Sequence, residues 1–144
     1  MRVLVQRVIS SSVEVEGKVV GKIDNGLTIL VGFTDGDTSK EIDYMVDKVI
    51  NLRVFDDENG VMNKSLLDID GSVLSISQFT LYADASKGRR PSYVKALGGD
   101  KATILYDEFN TKLREKVHTE TGIFGSEMKV NIINDGPITI MLEK

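Results

Sequence analysis

Residues 1–33 read MRVLVQRVISSSVEVEGKVVGKIDNGLTILVGF, and through most of this run apolar residues recur at every second position. Val3, Val5 and Ile9 share one phase, while Val13 and Val15 alternate with Glu14 and Glu16. A period of two marks half-buried strands. "EGK" at 16–18 turns the chain into "VVGKI", and "GLTILVGF" follows at 26–33, so the spacing predicts a meander. Arg7 falls in the apolar phase of the first strand. An arginine so placed is paired or snorkelling to a rim, or it faces an anion.

Beyond residue 37 the period changes. Thr38-Ser39-Lys40-Glu41 has capping-box spacing, and Ile42, Met45, Val46, Val49 and Ile50 follow at helical intervals. "DDENG" at 56–60 is a turn cluster. "GSVLSISQFTLYAD" at 71–84 reads as a buried strand running into something less regular, and "ASKGRRPSYVKALGGD" at 85–100 as a long loop. A second helix is predicted from about Lys101, with Leu105, Phe109, Leu113 and Val117 as its stripe and Gly122 capping its end. His118 then lies in its last turn, where a protonated imidazole gains from the dipole. Met128, Val130 and Ile132 alternate with polar neighbours in a further strand, and "NDGPITI" at 134–140 leads to a last strand at 138–142. These elements predict one α+β domain over residues 1–144, with a sheet covered by two main helices.

The chain has 144 residues, long enough for a core without staples. It has no cysteine and one histidine, which excludes disulfides, a thiolate nucleophile and zinc sites built on cysteine or paired histidines. No P-loop, dinucleotide fingerprint or G-x-S-x-G elbow is present, so no cofactor is expected. The N-terminal stretch lacks a signal-peptide core and no apolar run is long enough to span a bilayer, which makes the cytoplasm the expected compartment and a membrane partner unexpected. The net charge of −4 argues against generic binding to nucleic acid, DNA included.

Three stretches remain for chemistry. On an extended strand Gln78 and Thr80 point one way, Ser77 and Phe79 the other. Such a segment suits either the rim of a small-molecule pocket or a strand face that meets water. Thr80 has no sequence-local base to activate it, so a site here would work by orientation and by backbone donors. Lys87, Arg89 and Arg90 form the one dense positive cluster, either a solvated loop or a hold on phosphates. Gly136-Pro137 holds one of only two prolines. It is either a turn joining two antiparallel strands or a rigid corner against which something is measured.

Taken together, "SQFTLYAD" at 77–84, "KGRRPSY" at 87–93, "TGIFGSEMKV" at 121–130 and "NDGPITI" at 134–140 resemble the ordered motif set of the D-aminoacyl-tRNA deacylase family. "MRVLVQRV" and "NLRVFDDENGVMNKSL" at 51–66 fit as well. Ser126 stands where alanine is expected and Tyr93 where phenylalanine is common. The resemblance spans the chain and implies a mixed, largely antiparallel sheet. It also implies a homodimeric hydrolase that cleaves the ester of D-aminoacyl-tRNA, and of glycine mischarged on tRNA-Ala, as chiral proofreading in translation. On the same basis Ser77, Gln78, Phe79 and Thr80 line the pocket, with main-chain donors at Phe79 and Thr80. Gly136-Pro137, joined by a cis bond, enters the partner subunit's pocket as a chiral gate, and Arg7 fixes that loop. The substrate's own 2′-hydroxyl assists the chemistry, and Thr80 is pocket lining rather than a nucleophile.

Two rivals differ in kind. One is an editing module of the same fold, as in archaeal-type threonyl-tRNA synthetases, against which the intact Gly-Pro counts. The other is a non-catalytic RNA-binding or dimerisation module, against which count the acidic charge and the lack of exposed aromatic stacking motifs.

Overall fold

The computed structural model describes residues 1–144. In chain order it contains β1 (Arg2–Val15), β2 (Lys18–Ile23), β3 (Gly26–Gly32), α1 (Ser39–Asn51), β4 (Phe55–Asp56), β5 (Met62–Lys64), β6 (Ser72–Ser77), a 3-10 turn at Phe79–Tyr82, α2 (Gly99–Arg114), β7 (Thr119–Thr121) and β8 (Lys129–Glu143). The fold is α+β: one six-stranded mixed sheet, two helices, and a small β4–β5 hairpin built around the 56–60 turn cluster.

The first three strands do not form a meander. β1 is the central strand, in the order β2-β1-β3-β6-β7. Its length explains this: Ser11–Val15 pair with β2 while Arg2–Val8 pair with β3 along the same edge. The opposite edge of β1 is taken along nearly its whole length by β8. β3 and β6 run parallel, as do β6 and β7; every other pairing is antiparallel. β2 folds back towards β6 and β7, so that a Cβ on Gly21 would lie 2.8 Å from the Thr121 carbonyl oxygen. The sheet curls towards a barrel.

α1 matches the expected helix. The Thr38 hydroxyl and the Glu41 carboxylate cap each other's backbone, and Ile42, Met45, Val46, Val49 and Ile50 are all buried. Each such side chain contributes about 1.5–3 kcal/mol on leaving water. They pack with Val3, Val5, Leu27, Ile29 and Val31 of β1 and β3, and with Phe109 and Leu113 of α2, in the main core. Val8, Val13, Ile23, Leu74 and Ile76 form a second, smaller core.

α2 begins two residues before the expected start and ends at Arg114. Gly122 is therefore not its cap, and His118 is not in its last turn. The chain needs these residues to leave the helix and enter β7, and His118 Nε2 instead lies 3.2 Å from Glu120 Oε1. Ile9 is a second correction: it is 59% exposed, while Arg7 and Val8 are both buried. The β1–β8 register shifts on either side of Val8, and a shift of one residue moves the next side chain to the other face.

Candidate active site

The parallel strands β3 and β6 end side by side, and a cavity of about 330 Å³ opens at their carboxyl ends. This is within the range of small-molecule sites. Its floor is Val31, Ile76, Met128 and Val130; one side is Ser77, Gln78 and Phe79, and the other runs from Phe124 to Ser126. Ile76 belongs to the smaller core, and Met128 and Val130 pack against it.

Ser77, Gln78 and Phe79 line the cavity and Thr80 does not. The expected alternation of residues 77–80 fails because β6 stops at Ser77. The Gln78 N–H donates to the Val31 carbonyl at 2.7 Å, and the chain then winds into the 3-10 turn. The first bond inside that turn runs from the Leu81 N–H to the Gln78 carbonyl, 3.3 Å. The N–H groups of Phe79 and Thr80 precede it and have no partner within the turn. Gln78 Nε2 donates to Thr80 Oγ1 at 2.5 Å, tying the two polar side chains together. Thr80 itself is exposed.

Two interactions hold the turn. At Gly32 of β3 a Cβ would lie 2.8 Å from the Gln78 carbonyl oxygen and 3.2 Å from Leu81 Cβ, so only glycine permits this approach. From the other side Arg2 Nη1 donates to the Leu81 carbonyl at 2.9 Å, and its guanidinium lies 4.5 Å from the centroid of the Tyr82 ring. Burial pushes the Tyr82 hydroxyl up to about 12. None of the fourteen lining residues carries a titratable side chain. General acid or base chemistry by a side chain therefore has no agent in the cavity wall.

Gly136 and Pro137 lie elsewhere. They do not join two strands by a turn, as one reading of the sequence had it, but sit in a bulge inside the single long strand β8. Gln6 pairs with Thr139 and Val8 with Asn134; between those pairs β1 advances two residues and β8 five. The bulge thus stands opposite Arg7. The Gly136–Pro137 bond is cis, and Gly136 has φ 111°. A Cβ there would lie 2.9 Å from both Cγ1 and N of Ile138. Both Gly136 and Pro137 are exposed.

Asn134 closes the neck of the bulge. Its Nδ2 donates to the carbonyls of Arg7, 2.9 Å, and Ile138, 3.0 Å. Its Oδ1 accepts from Gln6 Nε2 at 3.2 Å and Thr139 Oγ1 at 3.0 Å. Arg7, 8% exposed, donates from Nη1 to the Val54 carbonyl at 2.8 Å. Its Nε lies 2.9 Å from Asp135 Oδ2 and its Nη1 lies 3.5 Å from Asp56 Oδ1. The Nε approach is an ion pair rather than a directed hydrogen bond, since Nε has no partner of hydrogen-bond geometry. Arg7 thereby links the bulge to the β4–β5 hairpin. Neither Arg7 nor Gly136-Pro137 lines the cavity of its own chain.

Lys87, Arg89 and Arg90 are exposed in a loop whose base is a backbone pair, Asp84 with Ser92, both bonds 2.8 Å. Hydrogen bonds from Ser86 hold the Asp84 carboxyl below its ordinary range. Sequence reasoning missed two features. The wall at Phe124–Val130 was visible only as a motif, with no reason to place it against Ser77. Phe79 and Tyr93 form an edge-to-face pair, centroids 5.2 Å apart at 65°, and are 53% and 44% exposed. Exposed aromatics thus exist where none was expected, because thirteen residues of chain separate Phe79 from Tyr93.

The family model described as D-Tyr-tRNA(Tyr) deacylase matches residues 4–143. A D-aminoacyl-tRNA deacylase of Clostridium botulinum (strain 657 / Type Ba4) is 56% identical over 144 residues, covering 99% of this chain and 97% of that protein. One of Clostridium tetani shows the same identity and coverage. Among solved structures, one named c-Myc DNA Unwinding Element Binding Protein superposes with a TM-score of 0.95 at 40% identity, over 100% of this chain and 99% of that one. A probable eukaryotic D-amino acid tRNA deacylase superposes with a TM-score of 0.84 over 98% of this chain and 97% of that one. At 20% identity it speaks for the fold alone. No helix is long and apolar enough to cross a membrane. With a family model covering all but the chain ends and relatives alike over their full lengths, this chain belongs to the D-Tyr-tRNA(Tyr) deacylase family.

Proposed function

We propose that this protein hydrolyses the ester between a D-amino acid and the terminal ribose of tRNA, freeing amino acid and tRNA, in chiral proofreading of translation. The observation that carries the reading is a cavity without a titratable side chain in a chain that matches deacylases end to end. In this proposal water attacks the ester carbonyl while the amides of Phe79 and Thr80 donate to the developing oxyanion. The C–O bond to the ribose breaks, and the neighbouring 2′-hydroxyl of the substrate supplies the proton relay that the wall lacks. Ser77 and Gln78 orient the aminoacyl group.

Selectivity is assigned to Gly136-Pro137, acting as a main-chain wall that accommodates hydrogen or a D-side chain and clashes with an L-side chain. The same rule admits glycine, hence glycyl-tRNA mischarged on tRNA-Ala. The pair is exposed and outside the lining of its own chain's cavity, so the gate is taken to come from a second copy in a homodimer. Lys87, Arg89 and Arg90 hold the tRNA backbone. The expected setting is the cytoplasm.

The test is ester loss from matched D- and L-aminoacyl-tRNA. Rapid loss of the D-ester with a stable L-ester is expected. Loss of L-seryl-tRNA alone would move the chain to the threonyl-type editing reading, and loss of neither to a binding module. DNA is not the inferred ligand, given the net charge of −4. Because the name of one structural relative mentions DNA binding, duplex DNA belongs in the assay as a competitor, expected to be weak.

A further inference from the structure

A cavity of about 330 Å³ cannot take more of a tRNA than its aminoacylated end, so the nucleotides that precede that end lie outside it, across the rim. At that rim stands the Phe79–Tyr93 pair. Phe79 lines the cavity, and Tyr93 lies outside it in the loop that carries the basic cluster. We propose that the exposed Tyr93 ring, backed edge-to-face by Phe79, is a stacking platform for an unpaired base just before the terminal nucleotide of the acceptor strand. This rests on the proposed deacylase function.

Three observations converge. The rings are 53% and 44% exposed, although aromatic side chains are the largest apolar payloads a fold can bury. The loop offers charge complementary to a phosphodiester: Lys87, Arg89 and Arg90 precede Tyr93, and Lys95 follows it. The loop is also registered on the sheet next to the cavity. The Leu97 N–H donates to the Phe33 carbonyl at 2.9 Å, and Thr34 Oγ1 donates to the Lys95 carbonyl at 2.6 Å. Aromatic faces flanked by cations along a groove are how single strands are held without sequence readout. A protein partner is the weaker occupant, since four cations along the loop that carries Tyr93 favour a polyanion with π-faces.

The experiment places 2-aminopurine at the position before the terminal adenosine of a CCA-ended stem-loop and follows its fluorescence on titration. Quenching at saturation with the wild type, retained in Tyr93→Phe and lost in Tyr93→Ala, is expected. In parallel, KM is compared for D-tyrosyl-tRNA and D-tyrosyl-adenosine. Tyr93→Ala should raise the first by about 5- to 140-fold relative to its effect on the second, the range expected of one stacked base. A thermal melt establishes that the variant is folded. No quenching at saturation, quenching unchanged in Tyr93→Ala, or an equal effect on both substrates would overturn the platform. So would a change in oligomeric state in Tyr93→Ala without any effect on fluorescence, since the ring would then serve a second copy of the chain. If the wild type hydrolyses neither ester, the deacylase reading itself fails, and that result is distinct from loss of stacking in an active enzyme.

Discussion

Two irregular segments, the bulge at 134–138 and the loop at 85–97, depart from the sheet in opposite ways. Around the bulge one asparagine side chain makes four hydrogen bonds, and a buried arginine adds two carboxylate partners and a carbonyl. The loop is pinned near its two ends, by the Asp84–Ser92 pair and by the bonds at Lys95 and Leu97, while residues 87–91 between them are all exposed. A backbone that has to discriminate a hydrogen from a methyl group at one carbon must be over-determined. A segment that neutralises phosphates needs only charge within about a Debye length. The density of bonds around each segment is thus a guide to the role proposed for it.

The comparison breaks most sharply at Gly136. An alanine there would hold an L-residue at φ 111° with its Cβ 2.9 Å from Ile138. Strain of about 1–3 kcal/mol, released only by moving the bulge, should lower D-aminoacyl-tRNA hydrolysis by about 5- to 150-fold. Ester-loss kinetics on D-tyrosyl-tRNA checks it. Near-normal rates would mean that the corner measures nothing.

Asn134→Ala should come next. It leaves the carbonyls of Arg7 and Ile138 without their donor, at a cost of about 1–3 kcal/mol in stability, readable in urea unfolding. D/L selectivity should fall further than activity towards D-substrate. An intact selectivity with reduced stability would reduce Asn134 to a sheet fastener.

On the loop side, Lys87→Gln, Arg89→Gln and Arg90→Gln combined should leave the melting temperature within a degree or two. Binding of tRNA should weaken, with a salt slope shallower by about 0.7–0.9 for each phosphate that is no longer neutralised. A stability loss comparable to that of Asn134→Ala would erase the contrast between the two segments.

The smallest effect is expected at Thr80. The residue is exposed and outside the cavity lining, and its hydroxyl accepts from Gln78 Nε2. Thr80→Ala should keep its rate within about tenfold, the loss of one hydrogen bond, and no acyl-enzyme should accumulate. A threonyl ester trapped by mass spectrometry would assign the nucleophile to the protein.

Much of this was legible in the residues. The Thr38–Glu41 box and the stripe from Ile42 to Ile50 announced α1, since capping and amphipathicity are local. Arg7 stood out because a charge in an apolar phase demands a partner. The partners themselves, Asp135, Asp56 and the Val54 carbonyl, lie far along the chain, and no local pattern encodes them. His118 and Gly122 were placed at a helix end by a spacing that β7 overrode. Ile9 was placed inside by a period that a bulge reset. Phe79 and Tyr93 looked unremarkable singly, and only their meeting makes a surface.

The sequence by itself determined the α+β class, the strand runs of β1, β2, β3 and β6, α1, the absence of metal-binding cysteine chemistry, and the motif order that resembles one family. Periodicity, capping and composition act over a few residues and survive being read along a line. Tertiary structure alone decided that β1 is central, that NDGPI is a bulge in one strand rather than a turn between two, and that β6 yields to a 3-10 turn at the cavity. Those outcomes depend on which edges of which strands find each other, an interaction between residues more than a hundred positions apart in the case of β1 and β8.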